Sequence, residues 1–248
     1  MTEAEKIDVS LGAVQETLLI PLLGRAIETE KQGGLIDDPK AIEIVRSLNY
    51  DFEKWRGTNT MVGATVRTRM YDLEVQRFLA ENPSGTVVEI GCGLNTRYER
   101  LDNATAHWVE LDLPDSMALR RRFFEDTERR SMIATSFTDT GWLEAVAGRD
   151  GPYLFVSEAV IIYLDEARVE RGLRQLAKRF PGAQLLMDTT SSTMVDLQAK
   201  HDVMRTLPQD SWFRWKCDDP AELRPWGLSL LSSKTFLEAP PELVARFP

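Results

Sequence analysis

The sequence predicts an α/β fold in which helices cover both faces of a mostly parallel, twisted β-sheet. Residues 83–192 alternate between short apolar runs and longer stretches with apolar residues at helical spacing. Alternation of this length favours right-handed βαβ units. The apolar runs are almost uninterrupted, which is typical of parallel strands that are buried on both faces. A Gly-Cys-Gly turn follows the first run at residues 91–93, where an open parallel sheet is expected to bind its ligand.

Residues 1–82 are predicted to form a helical cap that precedes this core. Apolar residues recur at helical spacing in three segments, 14–28, 38–52 and 66–83. The second segment begins with an Asp-Pro pair, which is a common helix start, and the third ends at an Asn-Pro pair. The sequence therefore predicts three helices before the first strand.

The core, residues 83–192, is predicted to hold five strands, with a well-marked helix before the last of them. Asp165 can cap this helix, because its side-chain oxygen can accept a hydrogen bond from the first turn. The buried stripe of the helix is predicted at Val169, Leu173, Leu176 and Phe180. The strands are predicted at residues 86–90, 106–111, 131–136, 152–158 and 183–188.

Residues 193–248 break the alternation and contain several tryptophans and prolines. We interpret this part as a lid that is followed by further strands of the sheet, which residues 227–240 could supply. All three parts are assigned to one domain, residues 1–248, since this length suits a single large domain.

Composition argues against several classes of function. The net charge of −9 does not suit a general nucleic-acid-binding protein, which needs a basic surface. A basic cluster at residues 120–130 is interleaved with acids, and we interpret it as a solvated helix face. The N-terminus lacks an apolar signal segment, no apolar run is long enough to span a membrane, and the only cysteines are Cys92 and Cys217. We therefore expect a cytoplasmic protein with neither nucleic-acid nor membrane partners.

The glycine turn distinguishes between kinds of nucleotide site. Gly91 and Gly93 lack Cβ atoms, so the backbone can turn tightly and a ligand can approach it closely. A dinucleotide fingerprint would have a third glycine where this sequence has Thr96, and the glycine–lysine pattern of a P-loop is absent. Asp112 directly follows the second predicted strand, where an acid can bind two ribose hydroxyls, and Glu110 is expected to point elsewhere. Together these features predict a nucleoside site without a pyrophosphate.

Five segments together resemble the leucine carboxyl methyltransferase family, and in particular its bacterial branch of tetracenomycin-type polyketide O-methyltransferases. The segments are VQETLLIPLLGRAIE, VRTRMYDLEVQRFL, VVEIGCGLNTRYERL, WVELDLP and FVSEAVIIYLDE. The resemblance covers residues 13–192 and, more loosely, residues 212–227. The EIGCG turn alone is typical of all class I methyltransferases, whereas the combination is specific. The resemblance implies a Rossmann-like class I methyltransferase fold and S-adenosyl-L-methionine as the cofactor.

The resemblance also implies roles for individual residues. Arg67 matches an arginine that binds the methionine carboxylate, which a guanidinium group can grip through two hydrogen bonds. A solvated helix arginine is the alternative, and Arg69, two residues further on, is the competing candidate. Gly91 and Gly93 match the turn beside the amino-acid part of the cofactor, and Asp112 matches the ribose-binding acid. Glu158 matches an acid near the cofactor's ammonium group, and a cationic partner is expected for it because a buried unpaired carboxylate is costly.

Three more positions match cofactor contacts in the family. Ser136 and Phe137 follow the third strand, where the family contacts the adenine, although Ser136 replaces the aspartate that many class I members have there. Arg25 is a second candidate for binding the methionine carboxylate, with an ordinary surface arginine as the alternative.

Little catalytic equipment is expected, because a sulfonium is already an activated methyl donor and correct positioning of the acceptor supplies much of the rate. An ionised carboxylate needs no general base, whereas a phenol benefits from one. His201 and Tyr163 are the candidates for such a group. Trp212 and Trp215 are candidates for lining an apolar acceptor pocket, and the alternative is that they are core residues of the lid.

The sequence thus predicts an O-methyltransferase that uses S-adenosylmethionine and acts on a carboxylate or hydroxyl oxygen of a small molecule, such as an aromatic polyketide. A protein C-terminal carboxyl methyltransferase and a catalytically inactive binding module are the alternatives. No metal is expected, since no cluster of His, Asp and Glu has the spacing of a metal site. The acceptor's identity and the oligomeric state are left open.

Overall fold

The cap is helical, as predicted, and is tied together by a pair of two-residue parallel strands. A computed structural model describes residues 6–246, so the first five residues of the predicted cap and the last two of the predicted lid lie outside the described residues. The elements of the cap are β1 (Ile7–Asp8), α1 (Leu19–Glu30), α2 (Pro39–Ser47), β2 (Leu48–Asn49) and α3 (Asn59–Glu81).

Local contacts explain where the cap helices begin and how they pack. Asp38 caps α2 by accepting a hydrogen bond from Ala41 N–H at 3.0 Å. Gly24 lets α1 approach α3 closely, because a Cβ there would lie 2.9 Å from Met61 O. Helix α3 begins at Asn59 rather than near residue 66, since this packing against α1 outweighs the low helix propensity of its first turns.

The core is a five-stranded sheet in which all strands are parallel. Its elements are β3 (Thr86–Ile90), α4 (Arg97–Leu101), β4 (His107–Asp112), α5 (Pro114–Arg120), β5 (Arg130–Ala134), α6 (Gly141–Ala147), β6 (Tyr153–Ser157), α7 (Glu166–Arg179) and β7 (Gln184–Met187). The strand order is β5-β4-β3-β6-β7. The central strand β3 pairs with both β4 and β6, so the order reverses there.

The predicted strands and the predicted helix before the last strand are confirmed. Each strand has ends within two residues of those predicted. Asp165 caps α7 by accepting a hydrogen bond from Arg168 N–H at 3.0 Å. The predicted stripe of α7, from Val169 to Phe180, is buried against the sheet. Periodicity alone was sufficient here because α7 is strongly amphipathic.

The C-terminal part forms the short helices α8 (Ser192–Leu197) and α9 (Pro241–Val244) and several single turns of 3-10 helix. No strand follows β7 in the described chain up to residue 246, so the prediction that residues 227–240 extend the sheet was wrong. Among the described helices, none is long and apolar enough to cross a membrane.

Helices, rather than the sheet edge, hold the segment that was predicted to form these strands. Gly227 adopts a left-handed conformation with φ +94° beside Ala177 of α7. Further along, Lys234 pairs with Glu74 of α3 at 3.0 Å. The chain between these anchors runs along the surface, where Leu231 is 82% exposed. Strand β7 therefore remains an edge strand.

Candidate active site

The carboxyl ends of the five parallel strands form one edge of the sheet, and a polar or glycine position follows each of them. Neighbouring strands lie about 4.8 Å apart, so four such steps make the row roughly 19 Å long. Open parallel sheets bind ligands at this edge, beside the point where the strand order reverses. In spatial order the positions are Ser136 after β5, Asp112 in β4, Gly91 after β3, Glu158 after β6 and Asp188 after β7.

The turn after β3 has a conformation that requires glycine. Gly91 and Gly93 have φ values of +65° and +46°, in the left-handed region. A Cβ on Gly91 would lie 2.4 Å from Val160 Cγ2, and one on Gly93 would lie 3.0 Å from Leu18 Cβ. Backbone conformation and packing within the protein therefore account for both glycines. The approach of a cofactor to this turn stays a prediction.

Asp112 braces the glycine turn from the neighbouring strand. Its Oδ2 accepts a hydrogen bond from Gly93 N–H at 2.6 Å, and its Oδ1 accepts one from Leu113 N–H at 2.7 Å. Burial raises the pKa of the carboxyl group, while the two N–H donors act in the opposite direction. Because the side chain is still partly exposed, the carboxylate that shapes the turn is also accessible to a ligand.

Glu110 does not face the site, because its carboxylate is paired with two buried arginines. It does not point to the opposite face of the sheet from Asp112. Residues two apart on a strand share a face, so the two acids differ in depth rather than in side. Both carboxylate oxygens of Glu110 accept hydrogen bonds from Arg120 and Arg130, at 2.6–3.1 Å, and all three side chains are buried. The interpretation of residues 120–130 as a solvated helix face was therefore wrong for its first and last arginines. Their counter-charge comes from β4.

Glu158 has the cationic partners that were predicted for it. Its Oε1 accepts hydrogen bonds from Arg67 Nε at 3.1 Å and Thr68 Oγ1 at 2.8 Å, and its Oε2 accepts one from Arg97 Nη2 at 2.6 Å. Burial alone would raise the pKa of Glu158, but the two guanidinium groups and the hydrogen bonds lower it to about 2. The carboxylate is therefore ionised at neutral pH.

Arg97 fastens this carboxylate to the centre of the fold. Its Nη1 donates to both oxygens of Glu89 on β3, at 2.7 and 2.8 Å, and its Nε donates to Asp72 of α3 at 2.9 Å. All three side chains are buried. A buried guanidinium with this many carboxylate partners links α3, β3 and the residue after β6 into one rigid support.

Arg67 is partly exposed and has unused hydrogen-bond donors, whereas Arg25 is buried. Arg67 is 20% exposed, and across residues 6–246 its hydrogen bond to Glu158 uses only Nε, so the two terminal nitrogens can bind a carboxylate. Arg25 is 2% exposed and donates to Asp38 Oδ2 and Leu94 O, both at 2.8 Å. Arg25 braces α1 against the start of α2, and we omit it from the proposed cofactor site.

The two residues predicted to contact the adenine have different surroundings. Phe137 is buried beneath α7, where a Cβ on Gly172 would lie 2.2 Å from its ring. Ser136 N–H donates to Asp139 Oδ2 at 3.1 Å, and Ser136 Oγ lies 2.9 Å from Thr138 Oγ1. The exposed carboxylate of Asp139 thus stands beside Ser136 and can supply the acceptor that a serine lacks. The sequence prediction missed Asp139 because it lies beyond the strand end.

Tyr163 lies near the Arg67 end of the row. Its ring packs on Phe213, with the ring centroids 5.3 Å apart. Burial raises the pKa of the Tyr163 phenol, although the nearby Thr17 hydroxyl and Arg67 guanidinium lower it in part. The phenol therefore keeps its proton at neutral pH and can donate a hydrogen bond. Its catalytic role stays a prediction.

Residues 12–18 cross the edge of the sheet, and we call this segment the strap. At one end Gly12 N–H and Gln15 Nε2 donate to the two oxygens of Asp115 at the start of α5, at 3.0 and 3.3 Å. At the other end Thr17 lies beside Tyr163, and the last residue of the strap packs on Gly93. The strap therefore covers the edge from the β4 side to the β6 side.

The other predicted catalytic and acceptor residues belong to the C-terminal part. His201 is partly buried, its Nδ1 accepts a hydrogen bond from Met204 N–H at 3.3 Å, and burial lowers its pKa. Trp215 is 2% exposed and stacks on Trp226, which favours the alternative that it is a core residue. Trp212 is more accessible and donates from Nε1 to Met204 O at 3.0 Å. The roles proposed for these residues in substrate binding and catalysis stay predictions.

Three residues near Glu158 were not predicted, namely Thr68, Tyr71 and Asp188. Tyr71 follows Arg67 by four positions and Thr68 by three, so helical spacing places it beside both of them on α3. Asp188 ends the apolar run of β7 as Asp112 ends that of β4. These signals were present in the sequence, but they resemble those of many structural residues.

Comparison with known proteins identifies the family. Residues 19–177 match the family described as leucine carboxyl methyltransferase. The chain is 31% identical to the tetracenomycin polyketide synthesis O-methyltransferase TcmP of Streptomyces glaucescens, over 94% of this chain and 86% of the relative. The chain belongs to the leucine carboxyl methyltransferase family. It is an S-adenosylmethionine-dependent methyltransferase with the predicted Rossmann-like class I fold.

Two further proteins are similar to this chain. The S-adenosyl-L-methionine-dependent methyltransferase dpfgK of Gibberella zeae is 27% identical, over 88% of this chain and 80% of the relative. A solved O-methyltransferase family protein from Burkholderia thailandensis is 17% identical, covers 87% of this chain and 64% of its own, and has a TM-score of 0.48.

The residues at the strand ends fit the cofactor of this family. A free amino-acid group carries a carboxylate and an ammonium side by side, and the open nitrogens of Arg67 lie beside the ionised carboxylate of Glu158. The partly exposed carboxylate of Asp112 is a suitable acceptor for ribose hydroxyls. Within the described part of the chain, no group of three or more His, Cys, Asp or Glu residues could hold a metal ion.

Proposed function

We propose that this methyltransferase transfers the methyl group to an oxygen atom of a small, polyketide-like molecule. The observation that carries the proposal is the Arg67–Glu158 pair beside the glycine turn, because the pair presents a cation with free donors next to an ionised acid. The printed name of the Streptomyces relative supports the choice of oxygen as the acceptor atom and of a polyketide as the acceptor class.

Each part of the site has a distinct task in this proposal. S-adenosylmethionine, when bound, supplies an activated methyl group on a sulfonium. Arg67 binds the cofactor's carboxylate through its terminal nitrogens, and Glu158 accepts from its ammonium group. Asp112 accepts from the ribose hydroxyls, and Asp139, next to Ser136, accepts from the adenine's amino group. Five strand ends spaced along roughly 19 Å allow these contacts to form side by side.

The protonated phenol of Tyr163 favours an acceptor oxygen that is already ionised. The Tyr163 phenol keeps its proton, so it can orient an acceptor through a hydrogen bond but cannot take a proton from it. A carboxylate or an acidic phenol needs no base at neutral pH. The strap across the site favours a small molecule over the C-terminus of a protein, because it covers the strand ends. The free cysteines, both buried, fit a cytoplasmic setting.

Calorimetric titration with S-adenosylhomocysteine tests this proposal. We expect micromolar binding by the wild type and at least about tenfold weaker binding by Asp112→Ala, since the variant loses charge-assisted hydrogen bonds. Asp126→Ala is the matched control. Like Asp112, Asp126 accepts a hydrogen bond from a backbone N–H, in this case that of Met132 on β5, at 2.6 Å. Failure of a well-folded wild type to bind would contradict the proposal. If the wild type binds, a screen of aromatic carboxylic acids and phenols for methylated products identifies the acceptor.

A further inference from the structure

Asp188, the acid after β7, accepts hydrogen bonds from the backbone beside Glu158 and from α3. Its Oδ1 accepts a hydrogen bond from Ala159 N–H at 2.7 Å and lies 3.0 Å from Tyr71 Oη, which donates to it. Burial raises the pKa of Asp188, while the Arg67 guanidinium and the Ala159 N–H oppose this. None of these partners lies on β7 or next to it in sequence, so Asp188 ties the edge strand to the residues around Glu158.

The residue after Glu158 has a backbone conformation that needs support. Ala159 has φ +54°, in the left-handed region that residues with side chains rarely adopt. Such a conformation persists only where the surrounding structure holds it. The hydrogen bond from Ala159 N–H to Asp188 is the contact that holds it here.

The residue before Glu158 is held by Tyr71, which also donates to Asp188. Tyr71 Oη lies 3.1 Å from Ser157 O, so its one proton is shared between that carbonyl and Asp188. Tyr71 is on α3, one helical turn after Arg67, and its ring packs on the Arg97 guanidinium, 5.7 Å from the centroid. The backbone is therefore fastened on both sides of Glu158, while Arg67, Thr68 and Arg97 hold its side chain.

We propose that Asp188 is a positioning residue for the amino-acid end of the cofactor. By fixing the turn at residues 157–159, it presents the Glu158 carboxylate and the Arg67 guanidinium together. Asp188 acts through Glu158 rather than by touching the cofactor. The inference rests on the proposed cofactor site, but the role in the turn is measurable without any ligand.

Two variants separate the hydrogen bond from the charge. Asp188→Ala removes the acceptor for Ala159 N–H, whereas Asp188→Asn retains an oxygen at the same place and removes only the charge. We expect roughly tenfold weaker binding of S-adenosylhomocysteine by Asp188→Ala and binding within about threefold of wild type by Asp188→Asn. Asp126→Ala should bind as the wild type does. Thermal unfolding establishes that each variant is folded at the temperature of the titration.

Amide hydrogen exchange at residues 157–160 of the ligand-free protein gives the independent readout. Asp188→Ala should exchange faster there than the wild type, and Asp188→Asn should stay close to it. The inference is wrong if exchange is unchanged in Asp188→Ala, or if the alanine variant binds S-adenosylhomocysteine as tightly as the wild type. It is also wrong if the asparagine variant loses as much affinity as the alanine variant, because charge would then be the cause. If the wild type itself does not bind, the proposed function fails, while exchange still reports on the turn.

Discussion

Two buried ion clusters in the core are both built from acids and arginines but differ in whether an arginine is open to solvent. In the Glu110 cluster, formed by Glu110, Arg120 and Arg130, both oxygens of the acid are used and these three side chains are buried, while Glu99 pairs with Arg130 at its margin. The Glu158 cluster is equally well paired around Arg97, but Arg67 at its margin is 20% exposed and has terminal nitrogens to spare. Its members are Glu158, Glu89, Asp72, Arg97 and Arg67. Unused donors and access to solvent, rather than the presence of charge, distinguish the proposed binding site from the structural cluster.

Breaking the closed cluster should have the largest effect. Glu110→Ala leaves Arg120 buried without its ion-pair partner and leaves Arg130 with its pair to Glu99, so we expect a loss of about 3–5 kcal/mol in the free energy of unfolding. Urea denaturation measures this loss. Glu144→Ala is the control, because its pair with Arg179 is exposed and little change is expected. A loss as small as that of the control would contradict the prediction, because the buried arginines would then not need Glu110 as their counter-charge.

The open cluster should make stability depend on acid pH. The pKa of Glu158 is lowered from about 4.5 to about 2, so its ion pairs stabilise the fold above pH 4.5 and are lost as the pH falls towards 2. The full contribution is at most about 3 kcal/mol. Glu89 and Asp112, whose pKa values burial raises, contribute in the opposite sense. Urea denaturation between pH 5 and 2.5 should give a shallower decline for Glu158→Gln than for the wild type, and equal slopes would contradict this assignment.

The comparison also shows what could be predicted from sequence. Strands, α7 and the cationic partner of Glu158 follow from periodicity, capping and the cost of an unpaired charge, which are local or general rules. The two clusters could not be told apart, because Arg120 and Arg130 look like solvated residues until β4 supplies Glu110. The burial of Arg25 and Phe137 could not be predicted for the same reason, since it depends on packing between distant segments. Their cofactor roles stay predictions. The extra strands failed because the chain after Gly227 is anchored on helices.

Substitution of Arg67 tests most directly whether the unused donors of the Glu158 cluster bind the cofactor. Arg67→Ala should weaken S-adenosylhomocysteine binding by about 10- to 100-fold, because charge-assisted hydrogen bonds to the carboxylate are lost. Glu158 would keep Arg97 and Thr68, so the fold should be retained. Arg67→Lys should be intermediate, since it keeps the charge but not the planar fork. Calorimetry measures all three affinities.

Arg69 is the matched control for this test, since it lies two residues further along α3, has a similar exposed fraction and pairs with Asp72 at 3.6 Å. Both arginines belong to the same charged helix, so the local composition and the helix propensity are the same at the two positions. Only Arg67 lies beside Glu158 with donors to spare. If Arg69→Ala lost as much affinity as Arg67→Ala, the general charge of α3 would explain binding. A loss confined to Arg67 would mean that the open guanidinium makes this cluster a site.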